Sequence, residues 1–111
     1  MNDFARVVQE LERMAAARER ATYAELTQRL GIEPPHQIRK LVLCLEELMR
    51  RQARAGEPLL ACLVASKIRD GLPAPGFFAL AAELGCYHGP ESGPEARAWH
   101  DAEVARVFAR Y

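Results

Sequence analysis

The residues that could carry chemistry are few and scattered. Cys86-Tyr87-His88 stands in a glycine- and proline-rich stretch, and His100 follows about a dozen positions on. One cysteine and two histidines are the wrong inventory for zinc. A structural zinc site wants four protein ligands, and a catalytic one wants three with an open position. Cys44 and Cys62 lie among apolar neighbours and read as small core residues rather than as ligands or nucleophiles. A reactive thiol needs an electropositive, accessible setting and, when histidine-activated, a histidine in reach; Cys62 has none nearby in sequence. Phosphate-cradling glycine loops, HExxH and GxSxG are all absent from the chain. The sequence therefore predicts neither a metal site, nor a cofactor, nor an enzyme.

Charge gives a different signal. The chain has 111 residues, with 15 Lys+Arg balancing 15 Asp+Glu, and 50% hydrophobic residues. A neutral protein advertises no overall attraction for nucleic acid. The balance is uneven, however. Residues 29–70 hold 8 basic side chains (Arg29, Arg39, Lys40, Arg50, Arg51, Arg54, Lys67, Arg69) against 5 acidic ones, whereas the segments on either side are slightly acidic. Ordinary solvated charge explains this, and so does a phosphate-contacting face in the middle of the chain.

The elements that must position these residues follow from periodicity. Apolar residues at Phe4, Val7, Val8, Leu11, Met14 and Ala15 predict an amphipathic helix from Asp3 to Arg18, capped by Asn2 or Asp3. Thr22-Tyr23-Ala24-Glu25 is a capping box, and Gly31 supplies a left-handed stop, so 23–30 reads as a short helix. Pro35 suits the first position of a longer helix running to about Arg54, with Ile38, Leu41, Val42, Leu45, Leu48 and Met49 on its buried side. A short capped helix, a tight turn and a longer helix with basic residues in its first turn form the grammar of a helix-turn-helix.

Beyond Gly56 the texture changes. Leu59 to Ala65 is a continuous apolar run of strand length, Asp70-Gly71 a turn, and Leu72 to Gly76 a proline-rich loop. Helical spacing resumes over Phe77–Leu84, a loop spans Cys86–Pro94, and Glu95–Arg110 closes the chain with Trp99, Val104, Val107, Phe108 and Tyr111 on its apolar side. Phe77, Phe78, Trp99, Phe108 and Tyr111 read as core between the last two helices, with Trp99 or Tyr111 the alternative anchors for a partner. The expectation is one mainly α domain over 1–111: a winged helix-turn-helix with a short, reduced wing and an added C-terminal helix. No apolar run reaches the roughly 18–20 residues of a membrane span, and Met1-Asn2-Asp3 does not open a signal peptide. A cytosolic location is expected.

Residues 21–78 resemble the C-terminal winged-helix domain of alkylguanine-DNA alkyltransferases and alkyltransferase-like proteins. Ala21-Thr22-Tyr23-Ala24-Glu25-Leu26 is similar to the family's first helix of the helix-turn-helix, and Pro35-His36-Gln37-Ile38-Arg39 to its Pro-x-x-x-Arg opening of the recognition helix. The resemblance implies that Arg39 is an arginine finger entering the minor groove, and that Tyr23 crowds the target phosphate. It also implies an acceptor cysteine in a Pro-Cys-His-Arg-Val run. Aligned on Pro58-Leu59-Leu60 and Asp70-Gly71, Cys62 falls on that proline, Leu63 on the acceptor, Val64 on the histidine and Ala65 on the arginine. The implied chemistry is missing, which leaves a non-catalytic DNA-binding module. Duplex DNA would be held by Tyr23, Arg29, Arg39, Lys40, Lys67 and Arg69. The alternative is a protein-interaction adaptor or inhibitor, of phage or mobile-element type, that uses the same surface on a protein partner.

Overall fold

The structure is a computed structural model that describes residues 3–111. In chain order it comprises α1 (Asp3–Ala17), β1 (Ala21–Thr22), α2 (Tyr23–Leu30), α3 (Gln37–Ala55), a 3-10 turn (Leu60–Leu63), β2 (Val64–Ala65), α4 (Pro75–Glu83) and α5 (Gly93–Arg110). The fold is mainly helical. None of the described helices is long and apolar enough to cross a membrane. The expected Asn2 cap lies outside the described residues, and Asp3 sits in the first turn of α1, where its negative charge meets the positive end of the helix dipole.

α1 buries Val7, Leu11, Met14 and Ala15 along one stripe. α2 starts where Thr22 turns the chain: the Glu25 amide donates to Thr22 Oγ1 at 3.1 Å, and the Thr22 amide donates to Glu25 Oε1 at 2.8 Å. It stops at Gly31, whose φ of 62° lets its own amide and that of Ile32 close back on Gln28 and Thr27 carbonyls. α3 begins two residues later than Pro35. His36 takes a left-handed backbone (φ 61°, ψ 44°), which a right-handed helix cannot include. The core stripe of α3 is Leu41, Leu45, Leu48, Met49 and Gln52. Ile38, expected on that stripe, is 48% exposed, because the first turn of α3 projects beyond the core.

The Leu59–Ala65 run departs most from expectation. Only Val64 and Ala65 are strand, paired in parallel with Ala21 and Thr22, and the residues before them coil into the 3-10 turn. The capping box explains why: it turns the chain into α2 directly after Thr22, so β1 is too short to pair with more. The coiled residues are nevertheless buried, from Leu59 through Val64, and their backbone groups need partners in a region closed to water. Internal turns satisfy Cys62 and Val64. Buried polar side chains supply the rest. Glu103 Oε2 accepts from the Leu59 amide at 2.8 Å, Gln52 Oε1 accepts from the Leu60 amide at 2.9 Å, and His100 Nε2 donates to the Cys62 carbonyl at 2.9 Å. Three side chains from α3 and α5 thus do what a neighbouring strand would have done.

α4 starts at Pro75 rather than Phe77, since a proline at the first helical position lacks only an amide that no helix would use. α5 starts at Gly93 and buries Ala96, His100, Glu103 and Val107. Of the α5 residues expected inside, Val107 is buried, Trp99, Val104 and Phe108 pack partly against the core, and Tyr111 is exposed. The polar pair His100 and Glu103 holds the inner face because the 3-10 turn needs its hydrogen bonds. Phe77, Phe78, Tyr87 and Trp99 form one aromatic cluster, with Tyr87 and Trp99 stacked at 4.9 Å. Phe108 stands apart, under the Arg18 guanidinium.

Candidate nucleic-acid interface

α2 packs against α3 through Leu26 and Leu30, which belong to the same core cluster as Leu41 and Leu45. The Gly31–His36 connection is fastened by Lys40, whose Nζ donates to the Glu33 carbonyl at 2.8 Å. This leaves Gln37, Ile38 and Arg39 exposed at the head of α3. Arg39 has neither an ion pair nor a hydrogen bond among the described residues, and Lys67, in the turn after β2, is equally free.

The other expected contacts are committed internally. Arg29 pairs with Glu10 of α1 at 3.0 Å, and Glu10 also holds Arg13 at 2.6 Å. The hydrogen bond from Arg13, then that from Arg29, hold the Glu10 carboxyl below its ordinary value against the opposing effect of burial. Arg69 donates from Nε to the Pro73 carbonyl at 2.8 Å and from Nη2 to the Glu91 carbonyl, and lies over the Phe78 ring. Tyr23 accepts from the Ala74 amide at 3.0 Å, and burial pushes its phenol above the usual range. It ties the start of α2 to the segment before α4. The six expected residues therefore do not form one array: Arg39 and Lys67 are available, while Tyr23, Arg29, Lys40 and Arg69 hold the scaffold.

Arg50 and Arg54 were missing from the expected set. With Arg39, Leu43 and Glu46 they lie at intervals of four, three, four and four, one outward stripe of α3. From Arg39 to Arg54 the stripe runs roughly 22 Å at the helical rise. Arg50 and Arg54 are also unpaired among the described residues, whereas Arg51 turns aside to Glu47 and the Phe4 ring. The helical period of these arginines was readable in the sequence.

Beside the stripe lies a small cavity of about 50 Å³, lined by Tyr23, Val42, Glu46, Ala61, Gly76 and Phe77 among others. Ala61 is the residue of the apolar run that reaches it. Leu63, aligned with the acceptor cysteine, is wholly buried, as is Cys62. Burial, and then the nearby Glu103 charge, push the Cys62 thiol far up, the reverse of an activated thiolate. Cys86 and His88 are not joined by His100, which is buried against the Cys62 carbonyl.

Neither a family model, nor a curated protein, nor a solved structure matches the chain. What can be said of function rests on the geometry. The arrangement offers free guanidiniums on an exposed helix, the groups best suited to phosphate and base-edge recognition.

Proposed function

We propose that this chain is a non-catalytic, winged helix-turn-helix DNA-binding module. α3 docks its first turn in a groove of duplex DNA, and α2 crosses the backbone. The observation that carries the reading is the exposed Arg39, without a partner among the described residues, on a turn that stands clear of the core and continued along the same stripe by Arg50 and Arg54. A side chain that makes no bond to the described residues, at the end of a helix whose other face is buried, is free to meet an external acceptor. In the alkyltransferase-like reading Arg39 enters the minor groove, Arg50, Arg54 and Lys67 take phosphates, and the Ser66–Leu72 turn stands where a wing would.

A second reading has its own support. Leu43 is 51% exposed on the arginine stripe and Ile38 is 48% exposed at its head, a mixture that also suits a protein groove. Fluorescence anisotropy of a labelled random-sequence duplex at about 50 mM salt separates the two. DNA binding predicts saturable association, weakened by Arg39→Ala and unaffected by Arg13→Ala, since Arg13 on α1 is held by Glu10 and Glu19. No association, or equal behaviour of the two variants, leaves the protein partner as the reading.

A further inference from the structure

The turn after β2 is unusually well fastened for a surface loop. Its backbone closes on itself, with the Ser66 amide on the Leu72 carbonyl at 2.9 Å and the Leu72 amide on the Arg69 carbonyl at 3.1 Å. Two arginines from other parts of the chain hold it by its carbonyl oxygens, Arg20 donating to Gly71 and Arg97 to Asp70 at 2.6 Å, and the turn's own Arg69 reaches out to the Pro73 and Glu91 carbonyls. Carbonyls are neutral, so these bonds fix the guanidiniums without cancelling their charge. Asp70, 3.6 Å from Arg97, is the one carboxylate on the turn. With the free Lys67, four cations surround it.

At the tip of this rigid, cationic turn stands Ile68, 90% exposed. The turn carries no other large apolar side chain in the open: Ile38, Leu43 and Tyr111 belong to α3 and the chain end. A fastened loop that leaves an isoleucine in water between positive charges is shaped for a partner with dense negative charge outside and an apolar layer within reach.

We propose that the Ser66–Leu72 turn is a second DNA contact, in which Lys67 lies on a phosphate, the anchored arginines add their field, and Ile68 wedges between adjacent base pairs from the minor groove. The inference rests on the DNA-binding reading above. Architectural proteins use single apolar side chains this way, unstacking one step and kinking the duplex. A wedge must not yield to the base stack it opens, and the Arg20 and Arg97 anchors, with the outward bonds of Arg69, provide that stiffness. A bilayer is the poorer occupant: stable membrane attachment needs far more buried hydrocarbon than one side chain.

The test uses the whole chain, with Ile68→Ala and Lys67→Ala variants, on a duplex carrying 2-aminopurine, whose fluorescence rises when its step unstacks. Anisotropy on the same duplex reports binding. Ile68 makes no core contact, so both variants should melt with the parent. The expected result is a fluorescence rise with the parent that Ile68→Ala abolishes while still binding with an unchanged salt slope; Lys67→Ala lowers the log–log salt slope by about 1. If the parent binds without any rise at any step, or Ile68→Ala matches it, the wedge is wrong and the DNA reading stands. If the parent binds no duplex, both fall. Association with phosphatidylserine vesicles in place of DNA overturns the wedge in favour of a membrane.

Discussion

Removing the Glu103 carboxylate is the sharpest test of how the chain satisfies its buried 3-10 segment. Glu103 is 3% exposed and accepts from the Leu59 amide at 2.8 Å. Its other oxygen takes Arg106 at 2.6 Å. In Glu103→Ala the Leu59 amide keeps its burial and loses its acceptor, an orphaned donor worth about 1–3 kcal/mol. The charge itself adds little to the loss. The Arg106 side chain is 58% exposed, so it returns to water rather than being stranded. The vacated side-chain volume adds a packing loss, bringing the total to about 2–4 kcal/mol. That is a large fraction of the roughly 5–15 kcal/mol of a typical domain. Glu103→Gln keeps a carbonyl oxygen for the Leu59 amide and should cost less than half as much. Urea unfolding of parent and both variants, followed by circular dichroism, supplies the comparison. A Glu103→Ala midpoint equal to the parent's, or a Gln variant as damaged as the Ala variant, refutes the idea that side chains replace a missing strand here.

Four further outcomes follow from the same geometry. Thr22→Ala removes the hydroxyl that caps α2 and should lower unfolding free energy by about 0.5–2 kcal/mol, read from denaturant midpoints. His100 is buried with Nδ1 unpartnered among the described residues, and burial lowers its folded pKa below the ordinary 6.5. The neutral ring is thus the folded form, and its contribution is full above about pH 6.5 and lost as pH falls toward the folded pKa; melting temperature should drop between pH 7 and pH 5, and His100→Gln should flatten that drop. Cys62 should resist a thiol reagent until the chain unfolds, whereas the half-buried Cys44 and Cys86 react earlier. Incubation with alkylguanine-containing DNA should accordingly leave the intact mass unchanged, and a stoichiometric gain on Cys62 would overturn the non-catalytic reading.

The parts legible in the sequence were those decided locally. Thr22 and Glu25 sit three residues apart and cap α2 whatever surrounds them, and Gly31 ends it by its own backbone freedom. The stripes of α1 and α3 needed only helical period and a core. The 3-10 turn was not legible, because a fully apolar run looks the same as a buried strand or a buried coil. The choice was made by residues distant in sequence, Glu103 and His100 among them, that supply hydrogen bonds. Their polarity also hid the inner face of α5, which apolar spacing alone placed on Trp99, Val104 and Phe108. At the candidate site, residue type could not reveal which cations are spent inside the fold. The partners of Arg29 and Arg69 are Glu10 on another helix and the carbonyls of Pro73 and Glu91. Arg50 and Arg54 share the Arg39 stripe by simple helical period, a signal that was present and unused.

The most direct measurement is the salt dependence of binding to duplex DNA. Arg39, Arg50, Arg54 and Lys67 have no protein partners among the described residues. Contacts from Arg50, Arg54 and Lys67 to phosphates, with Arg39 in the groove, give a log–log slope of about −2.7, at about −0.9 for each neutralised phosphate. Converting the three α3 arginines to glutamine should reduce the slope to about −1 and weaken binding at every salt concentration. A chain that binds no duplex at low salt, or a triple variant with the parent's slope, contradicts the claim that this helix is a DNA-contacting face.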